Sequence, residues 1–422
     1  MEDREYLEIM EKMCHKDSTG HWSTPLPLKS NRTKLPNNRA QVLKRTFSLL
    51  VSFKRDPVKK DLTIKFMENL FNLGFAEEAP EVPEVEECWY LPIFPVFNPK
   101  KPNKIRMVFD SSITYQGQSL NSSLLRGPDL TNNLLYVRLR FRKERVAITG
   151  DIEQMFHMFH LDEEHTNFVR FIWFGNNDPV KPLRNYRMCV HLFGNSPSPS
   201  VATYCLHRCV EEPCDSEVKY YVTRNFYVDD GLSSYDSDIE ALDVLLQTQK
   251  ILRERGKIRF HKFAFNSQIV VDALSPGDRA GDLSDVQLDL NTIPSQSSLG
   301  LKWNISSDTF TFSTDLKYVP ETKRDILSYL HSLYDPIGFL SPVILSGKFI
   351  FRDITQLELG WDELLHKDII LRWRTWQSSL HHLSEVEIPR RYVPTSIKNA
   401  ERIELHTFAD ASEKAISAVT YI

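Results

Sequence analysis

The run Asn225-Phe226-Tyr227-Val228-Asp229-Asp230-Gly231 decides how this chain of 422 residues is read. Two adjacent carboxylates follow an aromatic and a β-branched residue, and a glycine follows them. Apolar residues flank the run, Tyr220, Tyr221 and Val222 before it and Leu232 after it, so it reads as strand, tight turn, strand. In extended chain, neighbouring side chains point to opposite faces. A turn at Asp229–Asp230 lifts that restriction and lets both carboxylates approach one point. Two like charges at close range drive one of them to protonate, and a hard divalent cation such as Mg²⁺ removes the conflict. A solvent-facing hairpin tip satisfies the same tripeptide, so the choice falls to the rest of the chain.

Working outward, Val146-Ala147-Ile148-Thr149-Gly150-Asp151 is a second short apolar strand that ends in a carboxylate. Laid side by side, the two strands bring three acids together. Phosphoryl transfer to a 3′-hydroxyl uses such a site: one ion acidifies the attacking hydroxyl, and the other neutralises the triphosphate and the leaving pyrophosphate.

The length exceeds one compact core and predicts two to four subdomains. Composition is that of a globular protein, 41% hydrophobic and 26% charged. The net charge of −4 excludes a uniformly basic nucleic-acid binder but hides segregation. Lys29–Lys60 holds ten Lys or Arg against the single acid Asp56, whereas Glu77–Glu87 holds six Glu and no base. Such segregation suits a local phosphate-contacting face. A second basic cluster, Arg138, Arg140, Arg142, Lys143 and Arg145, reads as a further lining for a phosphate backbone. Six cysteines lack metal-ligand spacing and read as core thiols. The acidic start Met1-Glu2-Asp3-Arg4-Glu5 is no signal peptide, and no run approaches a membrane span. A reducing, intracellular setting follows.

In chain order, residues 1–29 read as an irregular lead-in. Helical spacing follows from Asn38 to about Gly74, with Asp61 as the cap of a second helix. Trp89–Asn98 and Lys104–Asp110 read as strands around a Pro99–Asn103 turn, and Phe168–Phe174 and Tyr186–Phe193 as another pair. Ser237–Arg255 is an amphipathic helix ended by Gly256. Ser298–Ile305 and Thr309–Ser313 form a hairpin with Ser306-Ser307-Asp308 at its tip. Helices follow from Glu321, with Trp361, Trp373 and Trp376 as packing residues, and Arg402–Ile422 begins one new strand.

These motifs resemble, in order and through most of the chain, the reverse transcriptases of LTR retrotransposons, above all the Pao/BEL group. The resemblance is carried by Leu35-Pro36-Asn37-Asn38-Arg39, Lys104-Ile105-Arg106-Met107-Val108-Phe109-Asp110, Asp151-Ile152-Glu153-Gln154-Met155-Phe156, Phe193-Gly194 with Ser198-Pro199, and Tyr227-Val228-Asp229-Asp230. Gly256 through Lys262, Leu299-Gly300-Leu301-Lys302-Trp303, Thr322-Lys323-Arg324-Asp325-Ile326-Leu327 and Tyr334-Asp335-Pro336-Ile337-Gly338 extend it.

The resemblance implies an α+β, right-hand polymerase: fingers, a palm with an antiparallel sheet, a thumb, then a helical connection region. Residues 30–313 would form fingers and palm, 314–400 the helical thumb and connection, and 401–422 a truncated first strand of an RNase H-like domain. It implies RNA-directed DNA synthesis with two Mg²⁺ ions, or Mn²⁺ in their place. The partners would be an RNA template, DNA primer and product, dNTPs and a tRNA primer. Asp151 and Asp229 would ligate both metals with the Ile152 carbonyl, and Asp230 would complete the cluster. Arg106 and Lys104 would hold the triphosphate, because arginine suits bidentate phosphate contact. Phe156 would be the steric gate against a ribose 2′-hydroxyl, and Gly194 would let backbone approach the incoming base where a Cβ would crowd it. Lys262 would protonate pyrophosphate as a general acid, and Leu299 and Gly300 would grip the primer. The setting implied is the cytoplasm, inside a virus-like particle for a mobile element, with the nucleus as a second location.

Several features depart from the pattern. Ser112 stands where many retroviral relatives carry a second fingers arginine. Leu405-His406-Thr407-Phe408-Ala409-Asp410-Ala411-Ser412 resembles the first RNase H strand, with Asp410 as its first metal ligand, but the other carboxylates are missing. RNase H activity is therefore not expected, and neither an integrase zinc pattern nor an aspartic-protease Asp-Thr/Ser-Gly occurs. The rival reading is a catalytically silent or domesticated retroelement remnant that only binds nucleic acid or protein. A palm-type nucleotidyl cyclase does not account for the basic fingers or the primer-grip hairpin.

Overall fold

The computed structural model describes residues 2–81, 86–98, 101–280, 295–298, 301–312, 319–333 and 335–422. Leu299, Gly300 and Tyr334 lie outside the described residues, as does the side chain of Lys104. The chain passes repeatedly between two compact units: Met1–Thr131, Ile152–Val222 and Thr248–Arg259 form one, and Asn132–Asp151, Thr223–Gln247 and Phe260–Ile422 the other.

The second unit carries the acidic strands. Helix α1 (Leu134–Phe141) starts where the Asn133 side chain accepts from the amides of Leu135 and Tyr136. Strands β1 (Val146–Ile152), β2 (Phe226–Tyr227), β3 (Asp230–Tyr235) and β4 (Phe260–Phe265) then form a four-stranded sheet in the order β2-β3-β1-β4. β1 and β3 run antiparallel from Val146 opposite Tyr235 to Asp151 opposite Asp230. Gly150 is required where it stands. A Cβ there would come within 2.5 Å of Phe260 and 2.8 Å of Phe263, whose rings meet edge to face at 4.9 Å. Gly150→Ala should lower stability by about 1–3 kcal/mol through overpacking, read as an earlier denaturation midpoint with an unchanged m-value.

The same unit's core joins Val137, Phe141, Ala147, Leu232 and Ala264 to Trp303, Phe310, Ile326, Tyr329, Trp373 and Trp376. The expected hairpin is present as Leu301–Asn304 and Thr309–Thr311, with Trp303 opposite Phe310. Helices Lys323–Ser332, Ser341–Thr355 and Lys367–Ser379 follow, the first opened by a capping box between Thr322 and Asp325. Trp361, expected as a packing residue, is 47% exposed, with Lys323 and Arg324 over its ring. Residues 401–422, expected to hold one strand, hold two. His406–Ala411 pairs with Ile416–Tyr421 around a turn closed by the Ser412 amide, which donates to the Ala415 carbonyl. Every side chain of both strands is exposed, Asp410 among them.

The first unit packs helices Arg39–Arg55 and Pro57–Asn72 with a sheet of Ala76–Glu78, Leu183–Met188 and Arg170–Phe174 and a hairpin of Ile93–Asn98 with Lys101–Phe109. Trp89, Phe109, Phe171, Trp173 and Met188 centre its core.

Four local expectations need correction. Residues 1–29 are not irregular: Glu2–Met13 is a helix that buries Tyr6 and Met10 one turn apart. Asp56, not Asp61, caps the second helix, accepting from the Lys59 amide with Pro57 at the first helical position, where a missing N–H costs nothing. Tyr220, Tyr221 and Val222 belong to the helix Ser216–Arg224, not to a strand; Val218, Tyr221 and Val222 recur at helical spacing on its buried side. Tyr186–Met188 ends a strand that began at Leu183, and residues 163–169 are a 3₁₀ segment.

Candidate active site

Tyr227 pairs with Asp230 and Phe226 with Gly231, leaving Val228 and Asp229 as a two-residue hairpin turn, one residue earlier than the Asp229–Asp230 turn expected from sequence, because Asp230 is already paired as the first residue of β3. Turns that match strand twist place a positive φ at the first central residue. Val228 takes it, at φ +57°. A β-branched residue there is strained, and such strain persists only where the surroundings over-determine it. The pairing on either side is that constraint.

Asp230 stands directly across from Asp151. Opposed residues on an antiparallel pair share one face with Cβ atoms about 4.5–5.5 Å apart, and like charges so placed repel. Burial first, then the charges of Asp229 and Asp151, push the Asp230 carboxyl up to about 7, against the pull of Lys262 and Arg138. Lys262, at φ +52° on β4, donates its ammonium to Asp151 Oδ2. His261 Nε2 is 3.8 Å from the same oxygen. The sheet therefore gathers Asp151, Asp229, Asp230 and Lys262. As they stand, the three carboxylates do not all lie within 4.8 Å of one another; hard oxygen donors on facing strand ends, one pushed toward neutrality and one answered by a lysine, are the donor type that a divalent cation draws together.

A raised carboxyl pKa stabilises the fold below the unfolded value, and that stability is lost as pH rises through the folded value. The metal-free protein should therefore lose Tm as pH climbs from about 4 to 7. Asp230→Asn should flatten that slope, and an unchanged slope in the variant would assign it to another group.

Of the basic cluster expected to face phosphate, Arg138 and Arg142 turn into the protein instead. Arg138 is 2% and Arg142 8% exposed. Arg142 lies over the rings of Tyr392 and Phe339, at 4.4 and 4.9 Å. Arg140 donates to Asn225 at 2.6 Å, and Arg145 to Asp238 at 2.6 Å. The reason is periodicity: Leu134, Val137, Arg138 and Phe141 share one helical face, so Arg138 is carried inward behind the acids. That spacing was visible in the sequence and was missed. In the other basic run, Arg32 is spent on Glu87 at 2.8 Å and lies over Phe168.

In the first unit, Arg106 is exposed on its strand, with its guanidinium 5.3 Å from the Phe193 ring. Phe156, in the 3₁₀ turn Met155–Met158, sits 5.7 Å from that same ring. Phe193 is 60% exposed and was not singled out as a site residue by the sequence reading. Gly194 adopts φ +113°, and a Cβ there would meet only the Phe109 carbonyl, at 3.5 Å. Within this chain, glycine is required there for its backbone angle rather than for room. Asn121 clasps that turn, donating to the Gly194 carbonyl at 3.0 Å and accepting from the Ser196 amide at 2.9 Å. Ile152 is buried at the end of β1.

Comparison with known proteins gives three kinds of result. No curated protein matches the chain by sequence. Residues 322–422 match the family model of the Pao retrotransposon-like RNaseH-like domain, a span that begins well before the boundary at 401 expected from sequence. Three solved structures of foamy viral protease-reverse transcriptase resemble the whole chain or nearly so. That of the protease-reverse transcriptase dRH with double-stranded DNA shares 15% identity at a TM-score of 0.56, covering 100% of this chain and 65% of that one. The foamy viral protease-reverse transcriptase in complex with an RNA/DNA hybrid gives 15%, 0.52, 91% and 44%, and the same protein in complex with double-stranded DNA gives 16%, 0.57, 100% and 77%. This chain thus spans about two thirds or less of the first two relatives. Among the described residues, no helix is long and apolar enough to cross a membrane. The fold is a mixed α+β fold similar to that of retroviral reverse transcriptase, and its last hundred residues match a Pao retrotransposon RNaseH-like domain.

Proposed function

We propose that the chain is the reverse transcriptase part of a Pao/BEL-type retroelement polyprotein, extending a DNA primer on an RNA or DNA template. The observation that carries the reading is the strand pair that sets Asp151 opposite Asp230, with Asp229 in the adjoining turn. On this reading Asp151, Asp229, Asp230 and the Ile152 carbonyl hold two Mg²⁺ ions. Bound there, the ions would acidify the primer 3′-hydroxyl and offset charge on the triphosphate. Lys262 holds a proton within reach of Asp151 Oδ2 and would deliver it to the leaving pyrophosphate. Arg106, with Lys104, would grip the triphosphate, and Leu299 and Gly300 would position the primer.

The layout that follows is fingers and palm within 30–313, thumb and connection within 314–400, and an RNase H-like start from 401. The nucleic acids held in the foamy viral relatives support duplex and hybrid partners. Primer extension on a homopolymer RNA template with Mg²⁺, run beside Asp229→Asn, tests the reading. Signal lost only in the variant supports it; equal signal from both, or none from either, leaves the silent, nucleic-acid-binding remnant.

Phe156 is the proposed sugar gate, its ring braced on Phe193. Phe156→Ala should cut discrimination against rNTPs by about 10–100-fold, a loss of roughly 1–3 kcal/mol in differential binding, measured as the ratio of kcat/KM for dGTP and GTP. An unchanged ratio would remove Phe156 from that role.

A further inference from the structure

Among the described residues, Asp17, His21 and His160 form a grouping of three possible metal ligands that uses none of the strand-end acids. One ligand atom from each lies within 4.8 Å of the other two, and all three residues are half-buried. Strands fix them from both sides. Trp22–Thr24, directly after His21, runs parallel to His160–Leu161 with Ser23 opposite His160, and antiparallel to His15–Lys16, directly before Asp17.

The hydrogen-bond partners point to one tautomer for each neutral imidazole. Asp17 Oδ1 accepts from the Thr19 amide at 2.8 Å, the Thr19 hydroxyl at 2.6 Å and the His21 amide at 3.0 Å. Having donated its proton to Asp17, the Thr19 hydroxyl can only accept from His21 Nδ1, 2.7 Å away. Asp17 Oδ2 lies 2.7 Å from His160 Nδ1, and a carboxylate oxygen accepts there too. As neutral rings, both imidazoles would therefore carry their proton on Nδ1 and leave Nε2 as the ligating nitrogen. An oxygen partner on one ring nitrogen, freeing the other, is what orients histidines that bind metals and raises their basicity.

We propose that His21 and His160 ligate a borderline divalent transition ion, Zn²⁺ foremost, through Nε2, with Asp17 holding His160 in register and water completing the shell. Imidazole donors select zinc over magnesium, which prefers oxygen. The two rings now stack at 4.3 Å and 16°. Zn–N bonds of about 2.0–2.1 Å require them to tilt toward one point, so the ion replaces the stacking contact. Its effect would be to fasten the 15–24 hairpin to the strand that bears His160.

The test is zinc titration of the full chain by calorimetry in saturating Mg²⁺, which keeps the strand-end acids occupied. One Zn²⁺ per chain is expected in addition to any bound by the His21→Gln variant. Asp17→Asn should weaken that ion's binding by about 10–100-fold, the usual loss for an orienting partner. The six free cysteines are the competing ligands, so Co²⁺ spectra decide between them: ligand-field bands without thiolate charge transfer support the site. His160 sits within a strand, so His160→Gln is read only where circular dichroism shows a native fold, and His21→Gln carries the decision. Equal zinc uptake by the native chain and His21→Gln, or a thiolate charge-transfer band, overturns the proposal. Neither result bears on polymerase activity.

Discussion

Asp151→Asn should reduce primer extension by at least about a thousandfold while leaving the chain folded, a loss of roughly 4 kcal/mol in transition-state stabilisation. The substitution is nearly isosteric and leaves the β1–β3 register in place, because that register is made by backbone pairs from Val146–Tyr235 to Asp151–Asp230. What it removes is one of three negative charges, and with it the charged partner of Lys262. A site in which burial and, after it, the charges of Asp229 and Asp151 push Asp230 up to about 7 should become easier to fold and harder to load with cations once one of those charges is gone. The measurable pair is thus a vanished extension product with an unchanged or raised Tm. Extension within tenfold of the native chain would show that Asp151 does not serve the chemistry, whatever its neighbours do.

Arg390→Met should cost about 3–5 kcal/mol of stability, the usual loss when one partner of a buried ion pair is removed. The Arg390 side chain is fully buried. It donates to both carboxylate oxygens of Asp308, at 2.7 and 3.0 Å, and to the carbonyls of Phe141, Glu144 and Arg145. Its own carbonyl accepts from Arg142 at 2.7 Å. One side chain thus ties the Ser306-Ser307-Asp308 hairpin tip and the end of α1 to the segment after residue 387. Arg390→Lys should fail nearly as badly, because an ammonium cannot reproduce the planar fork that meets a carboxylate and three carbonyls together. Chemical denaturation reads the effect, and a loss below about 1 kcal/mol would reduce the clasp to an ordinary surface ion pair.

These two residues mark opposite ends of what could be read in advance. Asp151 was legible because short apolar strands ending in carboxylates are a local pattern, and local patterns survive in sequence. Arg390 was not, since its partners lie about 80 and 250 positions away and no local spacing encodes them. Arg138 lies between: its inward direction followed from the spacing of Leu134, Val137 and Phe141, but a charged residue on an apolar face was read by its charge. Asp61 failed as a cap because Pro57 had already set the helix start one turn earlier.

By itself, the sequence determined that a strand, turn and strand surround the acidic pair, though with the turn one residue too late, together with the β-strand before Asp151, the main helices and the hairpin tip at Asp308, since each depends on side-chain period and turn chemistry within a few residues. Only the tertiary structure decided that Asp151 faces Asp230 across one register, that Lys262 answers Asp151, and that Asp17, His21 and His160 share a corner. Those outcomes depend on which strands pair and in what register, and pairing is set by long-range burial that no short window of sequence contains.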